Sequence, residues 1–219
     1  MIAISFEIII KFILSYLLGS ISGSMLLGKF KRVDIRQMGS GNAGGTNAFR
    51  TMGTKFAIGV ILVDIFKGYI AVQIISNLQL LTSNINTSIY LFLPSICAIG
   101  SVLGHVYPIF YSFKGGKGAG TMVGVLIALF PIGFIFCISF WIISLILSGY
   151  VGLSTILAGI SLPITTAIFY EGGLVSPFGL FSIVISIFII FTHQSNIRRM
   201  IIGSENRFQK VMIFKKRNN

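Results

Sequence analysis

Apolar residues in this chain come in runs too long for one face of a soluble helix, and short polar segments separate the runs. The first run begins near Ile8 and ends near Leu27. Others cover about Phe56 to Ser76 and about Ile89 to Phe110, and an almost unbroken stretch follows from about Thr121 to Phe191. A hydrocarbon core of roughly 30 Å takes about 20 helical residues, so each of the first three runs predicts a membrane-crossing helix. The runs are continuous and rich in Ile, Leu and Phe, whereas a β-barrel would show short alternating segments. The last stretch must be divided. Pro131 with Gly133 offers a turn between two short helices, the polar SGYVGLS (Ser148 to Ser154) marks a second break, and EGGLVSP (Glu171 to Pro177) a third.

Charge orients these elements, because Lys and Arg concentrate in loops kept on the cytoplasmic side. Lys29, Lys31, Arg32, Arg36, Arg50 and Lys55 fall in one interhelical segment, and Lys114 and Lys117 in another. Arg198, Arg199, Arg207, Lys210, Lys215, Lys216 and Arg217 fall in the tail. The polar stretch Asn77 to Ser88 and the turn Glu171 to Pro177 carry no cation, which predicts that both face outward. An even number of crossings must then separate Lys117 from the tail. The expectation is an all-α, polytopic integral membrane protein of seven transmembrane helices, N-terminus out and C-terminus in. It forms a single membrane domain over residues 1–219, with a basic cytoplasmic tail from about 197.

Composition agrees with this reading: mean hydropathy is +0.92, and only 10% of residues are charged. The first run lacks a basic leader and a cleavage-like site, so it reads as a retained helix. Glu7 and Lys11 can pair at i and i+4 near the outer interface, with the Lys11 stem in lipid. Asp64 and Lys67 read as a mutually neutralising pair near the cytoplasmic end of their helix. The net charge of +12 lies against the anionic leaflet, and the final KKRNN reads as a lipid-surface anchor. Nothing resembles a nucleic-acid fold. Cys97 and Cys137 lack ligand-like spacing, so neither a disulfide nor a metal site is expected.

Two glycine-rich segments are not needed to cross a bilayer: GSGNAGGTNAFR (Gly39 to Arg50) and GHVYPIFYSFKGGKGAGT (Gly104 to Thr121). GSGNAG satisfies a dinucleotide-binding pattern, but it follows a membrane helix and not a strand. FKGGKGAGT imitates a nucleotide-triphosphate loop, yet Tyr111 stands where Gly is needed and Gly118 where Ser or Thr would hold magnesium. What remains is anion chemistry, in which glycines let backbone N–H groups converge on a phosphate and cations neutralise it. Gly39, Gly41, Gly115, Gly116 and Gly118 are candidates for that cradle. Ser40, Asn42, Thr46 and Asn47 offer polar groups near Arg50, whose planar fork suits a phosphate; capping of a helix is the competing role for Thr46 and Asn47. Lys114 and Lys117 can reach one phosphate from two directions, with His105 and Thr121 at the edges of that segment. His193 and Asn196 in THQSNIRRM share a helical face, followed by Arg198, Arg199 and Glu205.

Taken in order, GSGNAGGTNAFR, VDIFKG, GHVYPIFYSFKGGKGAGT and THQSNIRRMIIGSE resemble the bacterial acyl-phosphate:glycerol-3-phosphate acyltransferase family, PlsY, over nearly the whole chain. The resemblance implies a seven-helix enzyme of the bacterial cytoplasmic (inner) membrane with its active site on the cytoplasmic face. It would transfer a fatty acyl group from acyl phosphate to the 1-hydroxyl of glycerol 3-phosphate, giving lysophosphatidic acid and phosphate for phospholipid biosynthesis. By motif position, Ser40 and Arg50, Lys114 and Lys117, and His193 with Asn196 carry the reaction. Arg50 and the lysines would bind substrate phosphates, and Ser40, His193 and Asn196 would position the acyl phosphate. The implied partners are the two substrates and membrane lipids, with no nucleic acid, no obligate protein partner, no cofactor and no metal. Two departures stand out. Gly149, Tyr150, Val151 and Gly152 replace the family's Arg-Tyr-Val-Ser, where Ser154 is a candidate substitute, and Thr192 and Ser195 replace the Arg and Glu around the third motif.

The residues present also limit the mechanism. No Ser, His and acid arrangement supplies an activated nucleophile, and the predicted cytoplasmic loops offer few carboxylates as bases. Acyl phosphate already carries a good leaving group, so direct single-step transfer is expected, with a substrate phosphate or His193 taking the proton. The alternatives are a non-catalytic relative, compatible with the departures, and a transporter of a phosphorylated solute. No internal repeat supports the transporter. A phosphotransferase would need more aspartates for its metals than Asp34 and Asp64.

Overall fold

The computed structural model describes residues 2–80 and 88–213, with side chains described for 6–80 and 90–213. Asn84 in the predicted outward loop, and Lys215, Lys216 and Arg217 in the tail, lie outside the described residues. Every regular element among the described residues is helical. Five stretches are long and apolar enough to cross a membrane: Phe6–Lys31, Thr54–Ile75, Tyr90–Tyr111, Pro131–Ser148 and Val151–Phe169. A sixth is a bent pair, Pro177–Thr192 with Gln194–Ile201, and Ala119–Leu129 is a shorter apolar helix.

The chain forms two compact units that meet in sequence between Phe130 and Pro131. The first contains α1 (Ile2–Gly19), α2 (Gly23–Lys31), α3 (Gly45–Met52), α4 (Thr54–Ile70), α5 (Leu93–Val106) and α6 (Ala119–Leu129). Helix α1 packs along α5, and α4 along α6. Both pairings rest on glycine. A Cβ on Gly100 would come within 2.8 Å of the Phe12 carbonyl, and one on Gly104 would strike the Tyr16 carbonyl. Gly68 and Gly124 stand likewise against the Thr121 and Ile65 carbonyls. Lipid gives packed helices no hydrophobic advantage over separated ones, so close backbone approach at small residues supplies the contact.

The second unit contains α7 (Pro131–Ser148), α8 (Val151–Phe169), α9 (Pro177–Thr192) and α10 (Gln194–Ile201). Here α8 packs against both α7 and α9. The break at Pro131 follows from sequence: proline drives the preceding residue out of the helical region, and Phe130 adopts φ −150° and ψ 71°. Ser176 caps α9 by accepting from the Gly179 N–H, with Pro177 at the first helical position. Helices α9 and α10 meet at His193 with a 50° bend.

Both predicted ion pairs form, and one sits elsewhere than expected. Lys67 Nζ is 2.8 Å from Asp64 Oδ1 and also donates to the Ile21 carbonyl at 2.9 Å. Lys11 Nζ is 2.7 Å from Glu7 Oε1. The Lys11 stem is not in lipid, because both residues are buried inside the unit. Lys11 donates to the Ser76 carbonyl, and the Tyr90 hydroxyl donates to Glu7. A charge removed from water must find partners, and the protein interior supplies them where lipid cannot. Cys97 and Cys137 are free and buried.

Candidate functional site

The first glycine-rich segment is a loop tied to the helix that follows it. Asn47, on the first turn of α3, is 2% exposed. Its Nδ2 donates to the carbonyls of Ile35, Met38 and Asn42 at 3.1, 2.9 and 3.0 Å, and its Oδ1 accepts from the Ser40 N–H at 2.9 Å. One amide therefore fixes the path of residues 35–42. Gly39, at φ +57°, is needed for that approach, since a Cβ there would strike Asn47 Oδ1. Helix α3 is capped by Gly44 without a side-chain bond, so neither Thr46 nor Asn47 is its cap. Thr46 and Asn42 are half-buried; Ser40 is left exposed on the ordered loop, and Arg50 is half-buried in the last turn of α3.

The second segment caps α5. The Gly115 and Gly116 N–H groups donate to the Val106 and His105 carbonyls, both at 3.1 Å, and the Gly41 N–H donates to the Met38 carbonyl at 3.0 Å. At these three glycines, read as part of an anion cradle, backbone carbonyls take the amide protons in this structure. At Gly115 and Gly116 the reason for glycine is space. A Cβ on Gly115 would strike the His105 carbonyl, and one on Gly116 would strike His105 Nε2. His105 is not on an open surface but buried beneath the loop, its Nδ1 3.4 Å from Asp64 Oδ1 and off hydrogen-bonding geometry. Thr121 is also buried, its carbonyl against Gly68 of α4. Gly118, at φ +91°, turns the chain into α6. Lys114 is exposed and Lys117 half-buried.

These two segments share a cleft of about 360 Å³, lined by Asp34, Arg36, Gln37, Gly41, Ser112, Lys114 and Gly115. That volume is in the range of small-molecule sites. Arg36 was not expected here. Its guanidinium is 2.8 Å from Asp34 Oδ2, and Nη1 donates to the Tyr111 carbonyl at 2.9 Å, bracing one loop on the other. The Arg36 guanidinium holds the Asp34 carboxyl below the usual carboxylate range, and Asp34 in turn raises Arg36. The one carboxylate lining the cleft is thus paired, leaving Lys114 to present positive charge. Asp34-Ile35-Arg36 was readable as a turn, since Asp34 caps Ile35–Gln37, but its partner lies 75 residues away.

In the second unit the third motif occupies the α9–α10 corner. His193 is 4% exposed. Its Nδ1 is 2.8 Å from the Ile189 carbonyl, which can only accept, so Nδ1 carries a proton. Asn196 is buried and donates to Glu205 Oε1 at 3.0 Å; Arg199 Nε meets Glu205 Oε2 at 2.6 Å. Glu205 therefore orients an amide and a guanidinium, and its charge is already engaged. Ser154, the candidate substitute hydroxyl, is fully buried and donates to the Tyr150 carbonyl at 2.9 Å. Gly152 lies so close to Asn196 that a Cβ would stand 2.7 Å from its Cγ and Nδ2. Serine there would displace the Asn196 amide, so this departure and the position of Asn196 belong together.

Among the described residues no cluster of three or more His, Cys, Asp or Glu is placed to hold a metal. The family model for glycerol-3-phosphate acyltransferase matches residues 9–203. A glycerol-3-phosphate acyltransferase of Chlorobium luteolum is 39% identical over 218 residues, covering 88% of this chain and 93% of the relative. Glycerol-3-phosphate acyltransferase 2 of Bacillus anthracis is 40% identical over 200 residues, covering 91% and 98%. A crystal structure of PlsY (YgiH), an integral membrane glycerol 3-phosphate acyltransferase in its glycerol 3-phosphate form, superposes with a TM-score of 0.78. It is 34% identical, over 92% of this chain and 95% of that one.

Proposed function

This chain belongs to the glycerol-3-phosphate acyltransferase family, and we propose that it transfers a fatty acyl group from acyl phosphate to the 1-hydroxyl of glycerol 3-phosphate, releasing lysophosphatidic acid and phosphate. The observation that carries the reading in this chain's own residues is the cleft between the two glycine-rich loops. It is braced by Arg36, presents Lys114, and has its lining carboxylate already neutralised. Such a cleft suits the phosphate of a small phosphorylated alcohol. Relatives of the chain are named for action on glycerol 3-phosphate, and a solved relative was captured with it.

In this reading Arg50, Lys114 and Lys117 bind substrate phosphates, and Ser40, His193 and Asn196 position the acyl phosphate. Asn47, Gly39 and Gly41 act by shaping the first loop, Gly115, Gly116, Gly118, His105 and Thr121 by supporting the second, and Glu205 by orienting Asn196. The glycerol 1-oxygen attacks the acyl carbonyl carbon and forms the new C–O bond. The bond from that carbon to the phosphate oxygen breaks, and its electron pair leaves with phosphate. The hydroxyl proton passes to His193 Nε2 or to the departing phosphate. No acyl-enzyme is formed. The leaving group needs no activation, so alignment and charge neutralisation supply the rate.

The seven-span reading takes the five long stretches, the bent α9–α10 pair and the short α6. At about 1.5 Å per residue, α6 is too short to cross a full hydrocarbon core alone, so it enters as a partial span. Basic segments then lie on the cytoplasmic side of a bacterial inner membrane. The test is phosphate release from acyl phosphate by purified protein, with and without glycerol 3-phosphate, beside an Arg50→Ala control. Release that depends on glycerol 3-phosphate, with lysophosphatidic acid forming in step and loss in the variant, is the expected result. Release without the acceptor, or an acylated protein trapped during turnover, would count against it.

A further inference from the structure

We propose that residues 205–213 form a strap belonging to the working part of the second unit, and that Arg207 on this strap is a phosphate-binding residue acting beside Asn196 and His193. The family model stops at residue 203, so its match does not cover this segment. A tail that only touched lipid would need positive charge and little else. This one is fastened at both ends. At its start the Ser204 and Glu205 N–H groups donate to the Arg199 carbonyl at 2.8 and 3.1 Å, and the buried Glu205 carboxylate holds Asn196 and Arg199. Further on, the Phe208 N–H donates to the Gly149 carbonyl at 2.8 Å and the Ile213 N–H to the Ile146 carbonyl at 3.2 Å.

Gly149 is required by its backbone conformation. Its φ is +74°, and a Cβ would meet Met212 Sδ at 2.6 Å. The same docking carries the Arg207 guanidinium to 4.7 Å from the centre of the Tyr150 ring. A guanidinium lying on an aromatic face is held in orientation while its N–H groups point outward in the plane, the arrangement that suits an oxyanion. Among the described residues no carboxylate lies within ion-pair distance of Arg207.

Both sides of this stack lead to Asn196. Glu205, two residues before Arg207, accepts from the Asn196 amide. Gly152, two residues after Tyr150, touches Asn196. Two residues of chain span at most about 7 Å, so the backbone on both sides of the stack lies close to residues that contact Asn196. The ligand chemistry is a phosphate group, with two sources: the phosphate of acyl phosphate, on which the functional reading above depends, or the headgroup of an anionic lipid.

The test compares wild type with Arg207→Ala and Arg207→Lys in vesicles of phosphatidylcholine alone and in vesicles also containing phosphatidylglycerol. Binding of inorganic phosphate, followed by phosphorus NMR, is read beside KM for each substrate. Losing a charge-assisted bond predicts that Arg207→Ala weakens phosphate binding and raises KM for acyl phosphate by about tenfold in both vesicle types, with KM for glycerol 3-phosphate unchanged. Arg207→Lys recovers part of this, having the charge without the fork. An effect confined to phosphatidylglycerol vesicles assigns the phosphate to a lipid headgroup, whereas unchanged binding and KM in both vesicle types, or no phosphate binding by wild type, would overturn the proposal. Wild type that binds phosphate through Arg207 yet turns nothing over would sink the acyltransferase reading and leave this one standing.

Discussion

Replacing Asn47 by alanine is expected to disable the enzyme without unfolding it. The Asn47 amide has two N–H protons for three carbonyls, and its oxygen takes one backbone N–H, so about three good bonds form at once. At about 1 kcal/mol net for each, the side chain stabilises the ordered loop by about 3 kcal/mol, and unsatisfied carbonyls at a buried site add to the loss. A shift of that size changes the ratio of ordered to open loop by about 100-fold. Some margin exists in the native loop, so kcat/KM should fall about 10- to 100-fold, a competent state being present only as a fraction. Acceptor-dependent phosphate release measures this, and a thermal unfolding curve separates a local opening from global loss. Asn47→Asp keeps the acceptor for Ser40 N–H but none of the donors, so it should resemble alanine. Asn47→Ala with kcat/KM within about threefold of wild type would refute the claim that this amide orders the site.

Gly116→Ala places a methyl on His105 Nε2 and should cost about 1–3 kcal/mol of stability, partly restored by adding His105→Ala; an unaltered unfolding temperature for the single variant would contradict the packing. Lys11→Met strands Glu7 in the interior and should destabilise by about 3–5 kcal/mol, while Glu7→Gln with Lys11→Met recovers much of it; a single variant as stable as the double would remove the buried pair from the argument. The folded pKa of Asp34 lies below its unfolded value, so its contribution is fully present above the ordinary carboxylate value of about 4 and fades as pH falls through the lowered one. The difference in unfolding temperature between wild type and Asp34→Asn should therefore be constant above about pH 5 and shrink in acid, and growth of that difference in acid would reverse the assignment.

The helices were legible because a membrane leaves few choices. A run of apolar residues must satisfy its backbone internally, and Pro131 cannot continue a helix begun before it. The i, i+3 and i, i+4 spacings of Asp64 with Lys67 and of Glu7 with Lys11 likewise declared their pairing, though not that Ser76 and Tyr90 would bury the second pair. The glycine-rich segments declared a site but not its construction. Nothing near Arg36 in sequence announces the Tyr111 carbonyl, and nothing near Asn47 shows that its amide is spent on the loop in place of a ligand. Gly115 and Gly116 were read as anion donors because glycine has two uses, conformational freedom and absence of volume. The position of His105 shows that absence of volume is one of the reasons here.

The distribution of charge carries the argument one step further. The chain has 17 Lys and Arg against five Asp and Glu. Four of those five acids are committed inside the protein: Glu7 to Lys11, Asp34 to Arg36, Asp64 to Lys67 and Glu205 to Arg199. The fifth, Glu171, falls in the turn predicted to face outward. The surplus cations therefore outnumber the carboxylates that could neutralise them within the protein, and they cluster in the segments that carry Arg50, Lys114, Lys117 and Arg207. A surface kept this positive would be costly if its only purpose were to lie against lipid, since a few lysines suffice for that at about 1 kcal/mol each. In the proposed reaction two charged phosphates are brought together and repel each other. In that proposal an excess of cations would offset the repulsion, and acids held in structural pairs would not compete for the substrate.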